Sequence, residues 1–170
     1  MRRANSVAGL GVLLIIICLS TCSSQAFGGG RVTIIPYNFR GVVLIVFDET
    51  AAVGFERKED KIVYRVPSSG VLRTVPPPDE PFGSDNYYFE EADGTLKTIR
   101  YLYPAGGAYA DKGATFDSIP SDSAEPFCML DSVGTTTQKG KSIRYRSFLV
   151  GRASEVDQLE SQISKKLREL

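Results

Sequence analysis

The stretch GVVLIVF, Gly41 to Phe47, carries no polar side chain. A strand sends successive side chains to opposite faces, so both faces of this one are apolar. That pattern predicts a central strand covered on both sides, and the rest of the chain must supply the covers. Upstream, Arg31–Ile35 is a short β-prone run closed by Pro36. Downstream, a charged connection over 48–60 leads to Lys61–Val66, rich in β-branched and aromatic residues, and Pro67-Ser68-Ser69-Gly70 then makes a turn. Val71–Val75 ends at Pro76-Pro77-Pro78, which cannot donate to a ladder. Asn86–Glu91 and Thr95–Tyr103 flank Ala92-Asp93-Gly94, and Asp-Gly between two β-prone runs signals a hairpin. Beyond a long connection over 104–122, Phe127–Thr137 and Lys141–Val150 read as a second hairpin, turning near Gln138-Lys139-Gly140. The expected fold is mainly β: a β-sandwich-like domain of about seven or eight short strands over 31–152, with one C-terminal amphipathic helix over 153–170.

In that helix Val156, Leu159, Ile163, Leu167 and Leu170 fall within an arc of roughly 80° at helical spacing. Ser154 is the expected N-cap, with Asp157 three residues on. Glu155 and Asp157 stand near the positive end of the helix, and Lys165, Lys166 and Arg168 near the negative end. A helix this short is marginal alone, so its stripe is expected to dock on the β-domain rather than to drive assembly.

The amino end reads as an export signal. Arg2-Arg3 precedes an apolar stretch from Leu10 to Leu19, about half the length a membrane-crossing helix needs. Leu19-Ser20-Thr21-Cys22 resembles the bacterial lipobox, which implies a signal peptide over 1–21, lipidation of Cys22 and a glycine-rich tether over 22–30. Thr21 is larger than the residue usual at that position. Cleavage after Ala26, giving a soluble exported protein, and an uncleaved anchor are the alternatives.

The chain has 20 basic and 20 acidic residues, and loss of Arg2 and Arg3 would leave a small acidic excess. Nothing in that balance suggests a nucleic-acid partner. Arg144, Arg146 and Arg152, with Lys139 and Lys141, read as a solvated strand face. There is no histidine, which removes Ser-His and Cys-His nucleophiles and the usual zinc and copper sites. No cofactor or metal is expected. After processing and lipidation only Cys128 would remain as a thiol, and its apolar setting, Pro126-Phe127-Cys128-Met129-Leu130, points to a buried structural residue with no internal disulfide.

A family likeness rests on Ile35-Pro36, the spacing to Gly41, Phe47-Asp48, Val66-Pro67-Ser68-Ser69-Gly70-Val71-Leu72, Tyr87-Tyr88 and Asp93-Gly94. These residues, with a weaker echo at Arg146–Gly151, resemble an uncharacterised family of small bacterial exported proteins and lipoproteins. The resemblance implies an envelope location, and it brings no catalytic residues with it.

Chemistry without histidine would have to use paired carboxylates. Asp48, Glu49, Asp79, Glu80, Glu90, Glu91 and Asp117 are the candidates, and none sits in a catalytic motif. Ser68-Ser69-Gly70 lacks the spacing of a nucleophile elbow and reads as a turn. Tyr87, Tyr88, Phe89, Tyr101 and Tyr103 gather aromatics in one hairpin. Alternation puts Tyr87 and Phe89 on one face and Tyr88 on the other, with cross-strand packing as the ordinary role and stacking on a sugar or peptide as the functional one. The expected function is a bacterial cell-envelope lipoprotein held to the membrane by its lipid, a non-catalytic binding or structural module of unspecified protein or glycan partner. The alternative is a cell-wall or glycan-active hydrolase using paired carboxylates.

Overall fold

The computed structural model describes residues 30–48, 50–51, 53–77, 84–104, 113–120 and 122–170. The expected signal peptide, Cys22 and all of the tether but Gly30 lie outside these residues. The strands are β1 (Arg31–Pro36), β2 (Gly41–Phe47), β3 (Glu56–Lys58), β4 (Lys61–Arg65), β5 (Val71–Thr74), β6 (Asp85–Glu90), β7 (Leu96–Ile99), β8 (Tyr101–Tyr103), β9 (Ala114–Thr115), β10 (Phe127–Gln138) and β11 (Lys141–Gly151), followed by helix α1 (Val156–Arg168). They form a five-stranded sheet in the order β3-β4-β1-β6-β7 and a six-stranded sheet in the order β5-β2-β11-β10-β8-β9.

β2 lies between β5 and β11, and its two faces serve two different cores. Val43 and Ile45 pack towards the five-stranded sheet, in a cluster with Ile35, Tyr64 and Phe148. Val42, Leu44 and Val46 pack on the opposite side, in a cluster with Phe127, Leu149 and Leu159 of α1. The molecule is therefore layered as sheet, sheet, helix. Each such aliphatic side chain contributes about 1.5–3 kcal/mol on burial, so a strand buried on both faces anchors the whole arrangement. The apolar stripe of α1 is the face that packs on the six-stranded sheet. Lys166 Nζ donates to the carbonyls of Val42 (2.7 Å) and Ser69 (2.9 Å), and Arg73 donates to the carbonyl of Leu170. Gly70 permits the first of these contacts. Its φ is +74°, and a Cβ there would stand 2.8 Å from Lys166 Nζ.

The two turns expected from Asp-Gly and Lys-Gly are both present. β6 and β7 pair antiparallel around Asp93-Gly94, where the Asp93 carboxylate accepts the N–H of Thr95 at 2.9 Å. β10 and β11 are joined by Lys139 and Gly140 at φ +49° and +78°, the positive angles a two-residue hairpin loop demands.

Other expectations are corrected. The run Thr95–Tyr103 is two strands in different sheets, because the chain crosses between layers at Arg100, whose carbonyl accepts the N–H of Cys128 at 2.9 Å. The connections over 48–60 and 104–122 contain β3 and β9, short edge strands of two or three residues that carry little hydrophobic pattern. Ser154 is not an N-cap. The helix is entered through a 3-10 turn, Ala153–Glu155, in which the Glu155 carboxylate accepts the N–H of Arg152 at 2.8 Å.

Candidate functional site

β10 pairs with β8 only as far as Met129 and Leu102, while its pairing with β11 continues to Gln138. Between Met129 and Ser132 the β10–β11 register slips, so that Leu130 and Asp131 together oppose Phe148. This bulge decides the site. In an unbroken strand, with Cys128 facing the five-stranded sheet, Asp131 would point towards the helix. With Leu130 in the left-handed region (φ +51°) and packed on the helix side, Asp131 turns into the inter-sheet space instead. A non-glycine residue held there costs about 1–3 kcal/mol, a strain concentrated where side chains are re-aimed.

Asp131 meets Arg146 of β11, which alternation also sends inward beside Phe148 and Val150. Arg146 is only 2 % exposed. Its Nε donates to Asp131 Oδ1 at 2.8 Å, and its Nη2 donates to Asp131 Oδ2, to Asp85 Oδ2 at 2.6 Å and to the Tyr87 hydroxyl oxygen at 3.1 Å. The Tyr87 hydroxyl in turn donates to Asp131 Oδ2 at 2.5 Å. From β1, Arg31 forks onto Asp85 with Nε to Oδ1 at 2.6 Å and Nη2 to Oδ2 at 3.0 Å. The Tyr101 hydroxyl accepts the N–H of Asp131 at 2.9 Å. Two arginines and two aspartates from four strands thus join the sheets at one end of the sandwich.

The protonation states follow from these contacts. Burial works against the charge on Arg146, but its bonds and ion pairs with Asp131, Tyr87 and Asp85 outweigh that penalty and hold it above an ordinary arginine. Burial alone would raise Asp85, yet the hydrogen bonds from Arg31 and the charges of Arg146 and Arg31 bring it below the usual carboxylate range. Burial, reinforced by the Asp131 charge, pushes the Tyr87 phenol far up, so it remains a donor.

The cluster forms the floor of an open cavity of about 980 Å³, near the upper end of ligand-sized clefts. Tyr101 and Tyr103 of β8 wall one side, and Val133, Glu160 and Ile163 stand at its other margins. Tyr101 stacks on Tyr87 with ring centres 5.9 Å apart, and Tyr103 meets Tyr101 edge-on at 4.7 Å. Arg146 Nη1 is buried and has no hydrogen-bond partner among the described residues.

The candidates named from sequence are placed elsewhere. Asp48 closes a turn by accepting from the Thr50 N–H (2.9 Å) and hydroxyl (2.7 Å), and Glu90 pairs with Arg65 at 2.7 Å. Glu91 belongs to the β6–β7 turn and Asp117 to an exposed 3-10 turn, and none of these four lines the cavity. Glu49, Asp79 and Glu80 lie outside the described residues. Tyr87 and Phe89 are core, while Tyr88 is half-buried on the other face. The basic cluster is not one solvated face: Arg146 is buried, Arg144 lies 5.0 Å over the Phe47 ring, and Arg152 is exposed at the helix entrance. Cys128 is a buried free thiol raised well above its ordinary value by burial. Among the described residues no group of acidic or thiol side chains could hold a metal, and no helix is long and apolar enough to cross a membrane.

Residues 29–159 match the family of unknown function DUF6843, and the chain belongs to that family. No curated protein matches it. A Bacillus anthracis protein assigned as a lipoprotein and solved by crystallography aligns over 72 % of this chain and 69 % of its own, with 16 % identity and a TM-score of 0.49.

Proposed function

We propose that this chain is a cell-envelope lipoprotein anchored through Cys22, whose β-domain is a non-catalytic module that binds its ligand in the inter-sheet cavity. The observation that supports it is the state of the two carboxylates there. Asp85 and Asp131 converge on one guanidinium nitrogen, and each is ion-paired with arginine. A paired-carboxylate hydrolase needs one carboxyl raised to deliver a proton and the other separated from it by the reacting bond. Asp85 is shifted the opposite way. What the cluster offers is a fixed, preorganised set of donors and acceptors, which suits recognition.

The anchor would also place the site. Arg31, the first residue of β1, lines the cavity, so a tether from Cys22 would arrive at its mouth. A glycine-rich linker of that length has a root-mean-square reach of about 15 Å, which would hold the cavity near the membrane surface.

The test is co-sedimentation of the detergent-solubilised full-length protein with membrane-free cell-wall fragments, beside mass spectrometry of the mature amino terminus. Binding without release of soluble fragments, lost on obstructing the cavity with Val133→Trp, is the expected result. Release of fragments that stops in Asp131→Asn would replace the module with an enzyme. An unmodified terminus at Phe27 would remove the anchor.

A further inference from the structure

From the same cavity, and resting on its reading as a binding site, we infer that the ligand is an uncharged sugar ring or short neutral oligosaccharide, lying against the Tyr101–Tyr103 wall and hydrogen-bonded to Arg146 Nη1. Charge comes first. The cavity holds two cations, Arg31 and Arg146, against three carboxylates, Asp85, Asp131 and Glu160. The arginines are already committed to the aspartates, so an anionic ligand would find both guanidiniums compensated by carboxylate and would also face Glu160, and a cation would meet the arginines that hold those carboxylates in place. A neutral ligand disturbs neither pair.

Hydrogen bonding narrows the class further. Arg146 is 98 % buried by its 2 % exposure, and Nη1 still carries two N–H groups with no acceptor among the described residues. A buried donor left in that state costs about 1–3 kcal/mol, and since Arg146 lines the cavity, an acceptor pressed into its floor would recover it. The Tyr101 hydroxyl oxygen accepts from Asp131, which leaves its proton to donate. Asp85 and Asp131 retain lone pairs beyond the bonds they already accept. Donors and acceptors thus lie within a few ångströms of each other, matching a ligand whose hydroxyls do both. The aromatic wall supplies the other requirement. Rings with a weakly negative face attract the polarised C–H groups of a sugar. A mainly apolar ligand would waste the polar floor, and a purely polar one would waste the wall.

The experiment is calorimetric titration of the detergent-solubilised full-length protein with three sets of probes: neutral hexose and N-acetylhexosamine mono- to tetrasaccharides, sulfated or uronic saccharides, and short peptides. Val133→Trp and Tyr103→Ala are titrated alongside. Val133 is 59 % exposed, so its replacement obstructs the mouth without touching the core. A neutral saccharide that binds the wild type, and binds both variants about tenfold or more weakly, supports the inference, that factor being about 1.4 kcal/mol. Neutral binding that survives both substitutions overturns it. Binding confined to charged saccharides or peptides, and lost in the variants, overturns the sugar but leaves the module standing. No binding in any set overturns both readings, and cleavage of a bound saccharide overturns the non-catalytic one.

Discussion

Replacing Arg146 by methionine removes the guanidinium while keeping most of its volume. Four hydrogen bonds go with it, two to Asp131 and one each to Asp85 and Tyr87. Asp85 retains the Arg31 fork at 2.6 and 3.0 Å. Asp131, whose side chain is 14 % exposed, is left with the Tyr87 hydroxyl and only the more distant charge of Arg31. The penalty therefore falls on Asp131. Breaking a buried pair from one side costs about 3–5 kcal/mol, a large share of the roughly 5–15 kcal/mol that holds a domain folded. For a domain of this size that is a fall in Tm of about 6–20 °C. The chain has no tryptophan, so urea unfolding followed by far-ultraviolet circular dichroism is the assay. Combining Arg146→Met with Asp131→Leu should recover much of the loss, because the stranded charge is gone. Two outcomes would refute the reasoning: a single-variant loss below about 1 kcal/mol, or a double variant whose loss equals the sum of the singles to within about 0.5 kcal/mol.

Three further expectations concern other parts of the molecule. Asp85 has a folded-state pKa below its unfolded one, so its stabilisation is complete above the unfolded value, near pH 4, and is lost as pH falls through the folded value; Asp85→Asn should flatten the urea midpoint against pH between about pH 4 and 2, and unchanged slopes would count against it. Cys128 should resist an aromatic disulfide reagent in the native protein and react fully in urea without prior reduction, since it is buried and unpaired; labelling at the rate of a free thiol would contradict its burial. Gly151→Ala would set a Cβ 2.6 Å from Leu159 Cδ1 and 2.9 Å from Glu155 Oε2, so it should destabilise the seated helix by about 1–3 kcal/mol, and Leu159→Ala should cost about 2–5 kcal/mol, both read by thermal melting with the mass in solution unchanged.

What was legible in the sequence is what local pattern writes. The uninterrupted apolar run of β2 encodes burial on two faces, and it is buried on two faces. Asp93-Gly94 and Lys139-Gly140 encode their turns through the positive φ that glycine tolerates. The crossing at Arg100 was not legible, because Thr95–Tyr103 is continuously β-prone and no glycine or proline marks the change of sheet. The cavity was less legible still. Arg31, Asp85, Asp131 and Arg146 are scattered over most of the described chain: the parallel pairing of β1 with β6 sets Arg31 beside Asp85, the β10–β11 bulge sets Asp131 beside Arg146, and the packing of the two sheets joins the pairs, none of which leaves a spacing signature. The bulge that turns Asp131 inward sits on a leucine, a bulky residue type that seldom adopts a left-handed backbone. Strict alternation from Cys128 would have sent that aspartate to the wrong layer. The signals of buried charge are an acidic residue at the end of the apolar run Phe127–Leu130 and an arginine two residues from Phe148.

A cluster of buried charges is a poor device for joining two sheets. Ile35, Ile62, Phe89 and Phe148 already do so with apolar contacts. Each ion taken from water costs several kcal/mol, and replacing a buried ion pair with apolar side chains of similar volume is often neutral or stabilising by about 1–4 kcal/mol. If the cluster serves recognition, its fully apolar replacement should separate stability from function. Arg146→Met with Asp131→Leu and Tyr87→Phe removes the inner half of the cluster and leaves the Arg31–Asp85 pair intact at the mouth. The expected triple variant melts within a few degrees of the wild type or above it, and no longer binds the ligand. A triple variant that unfolds several kcal/mol sooner would make the cluster a structural clamp. One that keeps both its stability and its ligand would leave Arg146 with no part in recognition, and the tyrosine wall would have to carry it alone.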